Sequence, residues 1–226
     1  MPNEEPEYER RSAERLVFFS DAVVAIAITL LAIDLPVPSG ATTSAFWSSV
    51  RQNEGVYLAF LVSFIAIAVA WGHHHDVFKY VRRTDGRLRN LNMLWLLMII
   101  LIPFATKLLT GYEHDALDVH ALRFGFYALL QTVAAAALLA IDHHLASANL
   151  QAPGRQDTGQ AADGHPPASS GWQSYGTMLG FGLSIPVFFA TTYAWILWWA
   201  VPVAIARLDR LRRGRGSATG SGRPIG

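Results

Sequence analysis

The chain has 226 residues, 52% of them hydrophobic and only 15% charged, with a net charge of +1 and a mean hydropathy of +0.26. A soluble domain is about a quarter charged, so this balance points to lipid as solvent and against a soluble helical bundle, which needs polar outer faces. The lack of cysteine excludes disulfides, thiolate zinc sites and iron–sulfur clusters.

The N-terminal stretch Met1 to Arg15 alternates acidic and basic residues. No short apolar segment there ends in a small-residue cleavage site, so no removable signal peptide is expected. Six apolar stretches follow, at Leu16–Leu35, Gly55–Phe78, Leu91–Leu109, Leu122–Ile141, Trp172–Ala190 and Tyr193–Leu208. Each approaches the ~20 residues that cross ~30 Å of hydrocarbon at ~1.5 Å per residue. The fold class expected is therefore all-α, a polytopic membrane protein with six transmembrane helices. Leu94–Phe104 and Val133–Ile141 run without a charged residue, as lipid-facing helices can and soluble ones rarely do.

Only Thr191 and Thr192 separate the last two stretches, which predicts an antiparallel hairpin. Ala146 to Gly171 mixes Gly, Pro, Ser, Gln and Asp without apolar periodicity and reads as a flexible cytoplasmic loop. Residues 1–213 then form a single six-helix domain, and 214–226 a disordered cytoplasmic tail. The N-terminus, the 2–3 and 4–5 loops and the C-terminus share fifteen of the Lys and Arg residues, against Arg51, Lys107 and Arg123 on the other side. The positive-inside bias places both termini in the cytoplasm. The basic run Arg207–Arg215 beside the sixth stretch fits contact with anionic lipid rather than nucleic acid.

The first apolar stretch holds the most informative residues. An Asp at the start of a membrane helix needs a partner or hydration, so Asp21 should have one. At about 100° per residue, Ile26, Leu30 and Ile33 fall within about 60° of one another and form a stripe roughly 10 Å long, bordered by Thr29. Asp21 and Ser20 point about 140° and 120° away from Ile26. The stripe suits lipid contact or helix packing, or the wall of a hydrophobic pore.

The motif Arg15, Phe19, Ser20, Asp21, followed by Ala-Val-x-Ala-Ile-Ala-x-Thr-Leu, resembles the first-helix motif of the lysosomal potassium channel family, the transmembrane protein 175 family, and especially its bacterial six-helix members. In the third stretch, Leu91-Asn92-x-x-Trp95 and Pro103-Phe104-x-Thr106 are similar to that family's third helix. The resemblance implies a potassium-permeable channel of the bacterial plasma membrane, a homotetramer with first helices around a central pore. K⁺ would be the permeant ion, with no cofactor. Ile26 would form the narrowest ring, Leu30 and Ile33 apolar rings beyond it, and Thr29 a hydroxyl layer helping selection. The polar end of helix one, Arg15, Phe19, Ser20 and Asp21, would be a structural anchor, with Trp71, His74, Asn92 and Trp95 as candidate partners. No Thr-Val-Gly-Tyr-Gly string is present, so a carbonyl filter is not expected.

His73, His74, His75 and Asp76 end the second stretch and Asp142, His143 and His144 the fourth. Imidazole and carboxylate groups bind transition metals, so a metal-ion transporter is the alternative function. Against it, consecutive histidines diverge around a helix, no His-Glu-x-x-His spacing occurs, and histidines at helix C-termini are stabilised by the dipole. A catalytic role is not expected: there is no Gly-x-Ser-x-Gly elbow or phosphate-binding Gly-rich loop, and Gly176-x-x-x-Gly180 reads as a close-packing motif.

Overall fold

The computed structural model describes residues 4–81, 83–110, 117–148 and 150, together with 200, 201, 203, 204 and 207 near the C-terminus. Its elements in chain order are α1 (Glu4–Ile33), α2 (Thr43–Gln52), α3 (Glu54–Phe78), α4 (Gly86–Leu109) and α5 (Leu117–Ser147). Four of them, α1 from Arg11 on, α3, α4 and α5, are long and apolar enough to cross a membrane. They correspond to the first four predicted spans. The predicted fifth span lies outside the described residues, as do most of the sixth, the tail and nearly all of the loop from 146 to 171. The described positions between 200 and 207 are helical.

The helices overrun the apolar stretches that revealed them. α1 begins at Glu4 rather than Leu16, because a charged sequence can continue a helix into water. It stops at Ile33, short of the expected Leu35, where Pro36 and Pro38 follow; the residue before a proline is disfavoured in the helical region. α4 starts at Gly86, five residues before Leu91, because Asp85 caps it: the carboxylate accepts from Leu88 N at 2.7 Å. α5 runs on to Ser147, so Ala146 is helical and not the first residue of a loop.

α2 is an element that the apolar pattern did not predict. Thr42 caps it, accepting from Ala45 N at 3.2 Å, and a single residue, Asn53, separates it from α3. Gly40 makes the approach possible. Its φ is +155°, and a Cβ there would lie 2.5 Å from Phe46 N and 2.9 Å from Ala45 Cβ.

The spans alternate in direction, so α4 and α5 pack along most of their length while α1 lies across α3 and α4. The core between them holds Ile67, Leu88, Trp95, Ile99, Ile102, Tyr127, Ile141 and Leu145, all buried. α1 contributes Ala13, Val24, Ala27 and Leu31. Two of these are alanines, which let helix backbones approach closely where lipid offers no hydrophobic driving force for association.

A two-faced helix and its buried hydrogen-bond chain

α1 has two unlike faces. Ser20, Val24, Ala27 and Leu31 recur at spacings of four, three and four residues and are all buried against α3 and α4. Ile26, Leu30 and Ile33 lie on the other side and are 57%, 42% and 77% exposed. Thr29 is exposed beside them and donates its hydroxyl proton to the Ile26 carbonyl at 2.8 Å. That bond occupies the donor and leaves the oxygen's remaining lone-pair capacity outward. Next to Leu30 and Leu31 lies a cavity of about 260 Å³, bordered by Val56, Phe60, Pro103 and Lys107.

Toward the N-terminal end, a directed chain of hydrogen bonds joins three helices. Ser20 Oγ donates to its own helix at Leu16 O, 2.9 Å away, and accepts from Asn92 Nδ2 at 2.9 Å. The other end of the same amide, Asn92 Oδ1, lies 2.8 Å from His74 Nε2. Because an amide oxygen only accepts, Nε2 carries the imidazole proton and donates. Nδ1 is then a bare lone pair, and it is the one buried side-chain polar atom among the described residues with no partner. Ser20, Asn92 and His74 are each fully buried. The His74 ring is sandwiched between Trp95 and Phe78, with centroids 4.3 and 4.2 Å away and planes within 15° and 20°.

Asp21 accepts from Trp71 Nε1 at 2.8 Å, at the edge of the bundle. Arg15 and Phe19 are exposed and stand apart from these contacts. The structure therefore brings Ser20, Asp21, Trp71, His74, Asn92 and Trp95 together, and leaves Arg15, Phe19, Ile26, Thr29, Leu30 and Ile33 on the surface of the protomer.

A second buried polar group was not singled out from sequence. Thr106 Oγ1 shares its proton between Ser63 Oγ and the Ile102 carbonyl, each 2.8 Å away. Ser63 Oγ is 3.1 Å from Tyr127 OH, which accepts from Gln131 Nε2 at 3.3 Å. This set ties α3, α4 and α5 together deep in the bundle. The available signal was a polar residue inside each of three apolar runs, which in lipid calls for a partner.

The ends of the bundle carry the charged contacts. At the N-terminal end of α1, Ser12 Oγ and Thr84 Oγ1 are 3.0 Å apart, and His144 Nε2 lies 2.7 Å from Asp85 Oδ2. The Leu88 backbone N–H, with His144 adding to it, holds the Asp85 carboxyl below the usual carboxylate range. At the opposite end Lys107 Nζ pairs with Asp34 Oδ1 at 2.8 Å, and Tyr57 OH donates to Pro36 O at 2.8 Å.

These positions bear on the alternative attached to the histidines. His74 is committed to Asn92 within the aromatic sandwich and His144 lies on Asp85, so the two runs do not form a common ligand set. Among the described residues no group of three or more His, Cys, Asp or Glu side chains is placed to hold a metal ion. Nothing among the described residues favours a metal-ion transporter.

The family described as Endosomal/lysosomal potassium channel TMEM175 matches residues 15–103. The segment begins at Arg15 of the α1 motif and takes in all of α3 and most of α4, the helices joined by the Ser20–Asn92–His74 chain. A protein of Streptomyces collinus named a potassium channel is 37% identical over 131 residues, 58% of this chain and 63% of that one. Another from Chamaesiphon minutus, also named a potassium channel, is 42% identical over 106 residues, 46% of this chain and 52% of that one. The chain thus spans between about half and just under two thirds of the length of these curated relatives. The crystal structure of a lysosomal potassium-selective channel TMEM175 homolog from Chamaesiphon minutus superposes with a TM-score of 0.69 at 26% identity, over 87% of this chain and 97% of that one. By these matches the chain is similar to the transmembrane protein 175 family over residues 15–103 and shares the fold of the Chamaesiphon minutus channel homolog.

Proposed function

We propose that the protein is a potassium-permeable channel subunit, with α1 lining a central pore in a homotetramer, in a bacterial plasma membrane with both termini in the cytoplasm. The observation that carries this reading is the split of α1 into a buried face of Ser20, Val24, Ala27 and Leu31 and an exposed stripe of branched aliphatic side chains. Such a stripe has two natural environments, lipid or a shared axis. The names of the bacterial relatives, potassium channels, favour the axis.

In the proposed channel Ile26 forms the narrowest ring, with Leu30 and Ile33 beyond it. A narrow apolar ring expels water, so an ion must shed part of its hydration to pass, and a small change in radius switches conduction. Potassium holds its water less firmly than sodium, so the same constriction favours potassium without a charged ring. Thr29 supplies oxygens next to the constriction where they can replace part of the lost hydration. The cavity of about 260 Å³ beside Leu30 gives that side chain room to retract as the ring widens.

The test is a flux assay on purified protein in liposomes, comparing K⁺, Na⁺ and H⁺. Wild type should pass K⁺ down its gradient faster than Na⁺, and Ile26→Asn should raise total flux and erase the preference, because an amide ring no longer enforces dehydration. Unchanged preference in Ile26→Asn removes Ile26 as the filter, and no passive K⁺ flux from wild type removes the channel reading.

A further inference from the structure

α2 has a surface of its own that the channel reading does not use. Its ten residues contain no buried side chain, and its only packed neighbour among the described elements is α3. Phe46 and Trp47 are 39% and 54% exposed and meet edge to face, with centroids 5.7 Å apart. At about 100° per residue, Phe46, Val50 and Trp47 span roughly 100° of the helix together with Thr43 of its first turn, with Arg51 and then Ser44 at the border of that arc and Ser48 and Gln52 opposite.

The depth of this helix relative to a bilayer is set by its connections. α1 ends at Ile33 and α3 begins at Glu54, with one residue between α2 and α3. Tyr57 donates to Pro36 O and Ser39 N donates to Ser49 Oγ at 3.2 Å, so the linker is tied to the first turn of α3 and to α2 itself. The exposed Asp34–Lys107 pair lies at the same end, and exposed charges of that kind belong at or beyond the edge of the hydrocarbon. A short helix held at that level, with two adjacent aromatic rings on one side, a guanidinium at the edge and polar side chains on the other, has the pattern of an interfacial helix.

We propose that α2 lies in the plane of the membrane surface, with Phe46 and Trp47 in the boundary between headgroups and acyl chains and Arg51 beside the lipid phosphates. The partner is the lipid of the leaflet that the α1 C-terminus and the α3 N-terminus reach. The proposal needs α1 and α3 to span the bilayer and is independent of what the protein conducts, so it can fail while the channel reading stands.

The chain has no cysteine, so single-cysteine variants of the full-length protein can be spin-labelled directly. Phe46→Cys, Trp47→Cys, Ser48→Cys and Gln52→Cys alter no buried residue and are compared after reconstitution in vesicles of mixed neutral and anionic phospholipid. Labels at 46 and 47 should be more accessible to oxygen, relative to an aqueous nickel chelate, than labels at 48 and 52, by roughly threefold or more, as expected for one face in the acyl boundary. Equal ratios at all four positions overturn the proposal. So does dipolar broadening at 46 or 47 that disappears on dilution with unlabelled protein, since it places a second copy of the chain, and not lipid, on this face.

Discussion

Asn92→Ala removes the centre of the chain between α1, α3 and α4, and its effect can be worked from the two bonds lost. Ser20 keeps its bond to Leu16 O, so losing the contact from Asn92 takes away one membrane side-chain hydrogen bond, about 0.6 kcal/mol on average. His74 is worse placed. Its Nδ1 is already unpaired, and without Asn92 Oδ1 the Nε2–H is orphaned in a slot closed by Trp95 and Phe78. A buried donor left unsatisfied costs about 1–3 kcal/mol. The second effect exceeds the first, and together they give a loss of about 2–4 kcal/mol. Reversible unfolding in mixed micelles on an increasing fraction of denaturing detergent measures it. Ser20→Ala and the double variant complete a cycle in which the Ser20–Asn92 pair should couple by about 0.5–1.5 kcal/mol. Asn92→Ala within about 0.5 kcal/mol of wild type, the range expected of unremarkable surface sites, would refute the reasoning.

Asp85 gives a pH dependence with a definite sign. Its pKa is lowered in the folded protein from 3.8, chiefly by the Leu88 N–H, so its stabilising contribution is complete above that value and lost as pH falls through the folded pKa. Thermal melts between pH 3 and 6 should show wild-type stability falling below about pH 4, with a shallower fall for Asp85→Asn, which can still cap α4 but carries no charge; parallel curves would contradict this. Asp85→Ala loses the cap as well and should cost about 1 kcal/mol at neutral pH. Tyr127→Phe removes the hydroxyl between Ser63 and Gln131 and should destabilise by about 1–2 kcal/mol in the same micelle titration. No change there would mean that Ser63 and Gln131 find other partners.

The first four spans were legible because an apolar run long enough to cross hydrocarbon is suited to lipid and rarely to water. Their ends were not, because lipid imposes its rule only within the bilayer. Residues 4–15 of α1 and the first turn of α4 are helical in charged sequence, and what fixes the α4 start is one carboxylate on one backbone N–H at Asp85. α2 was missed because most of its ten residues are Ser, Thr, Arg or Gln, which reads as loop until Thr42 caps it. Spacing along a single helix separates Ser20 from Ile26 without any structure. It does not say which residues of another helix meet them, and so Ser63, Thr106, Tyr127 and Gln131 drew no notice as a set. Each is unexceptional alone, and their meeting depends on the rotation of three helices at once.

That rotation matters most for α1. Ser20 is six residues from Ile26, about 9 Å along the helix, with no proline or glycine between them, so the two are joined by an uninterrupted stretch of backbone hydrogen bonds. Turning α1 by a single residue, about 100°, would carry Ser20 out of reach of Asn92 and swing the Ile26–Leu30–Ile33 stripe by the same angle. The buried chain therefore holds the azimuth of the exposed face as well as contributing stability. In a pore built from that face, the side chains at the constriction take their direction from hydrogen bonds made less than two helical turns away. A variant such as Asn92→Ala should then disturb ion selectivity in assembled protein even though it touches no ion, whereas Tyr127→Phe, whose partners lie on α3 and α5, should weaken the bundle and leave selectivity intact.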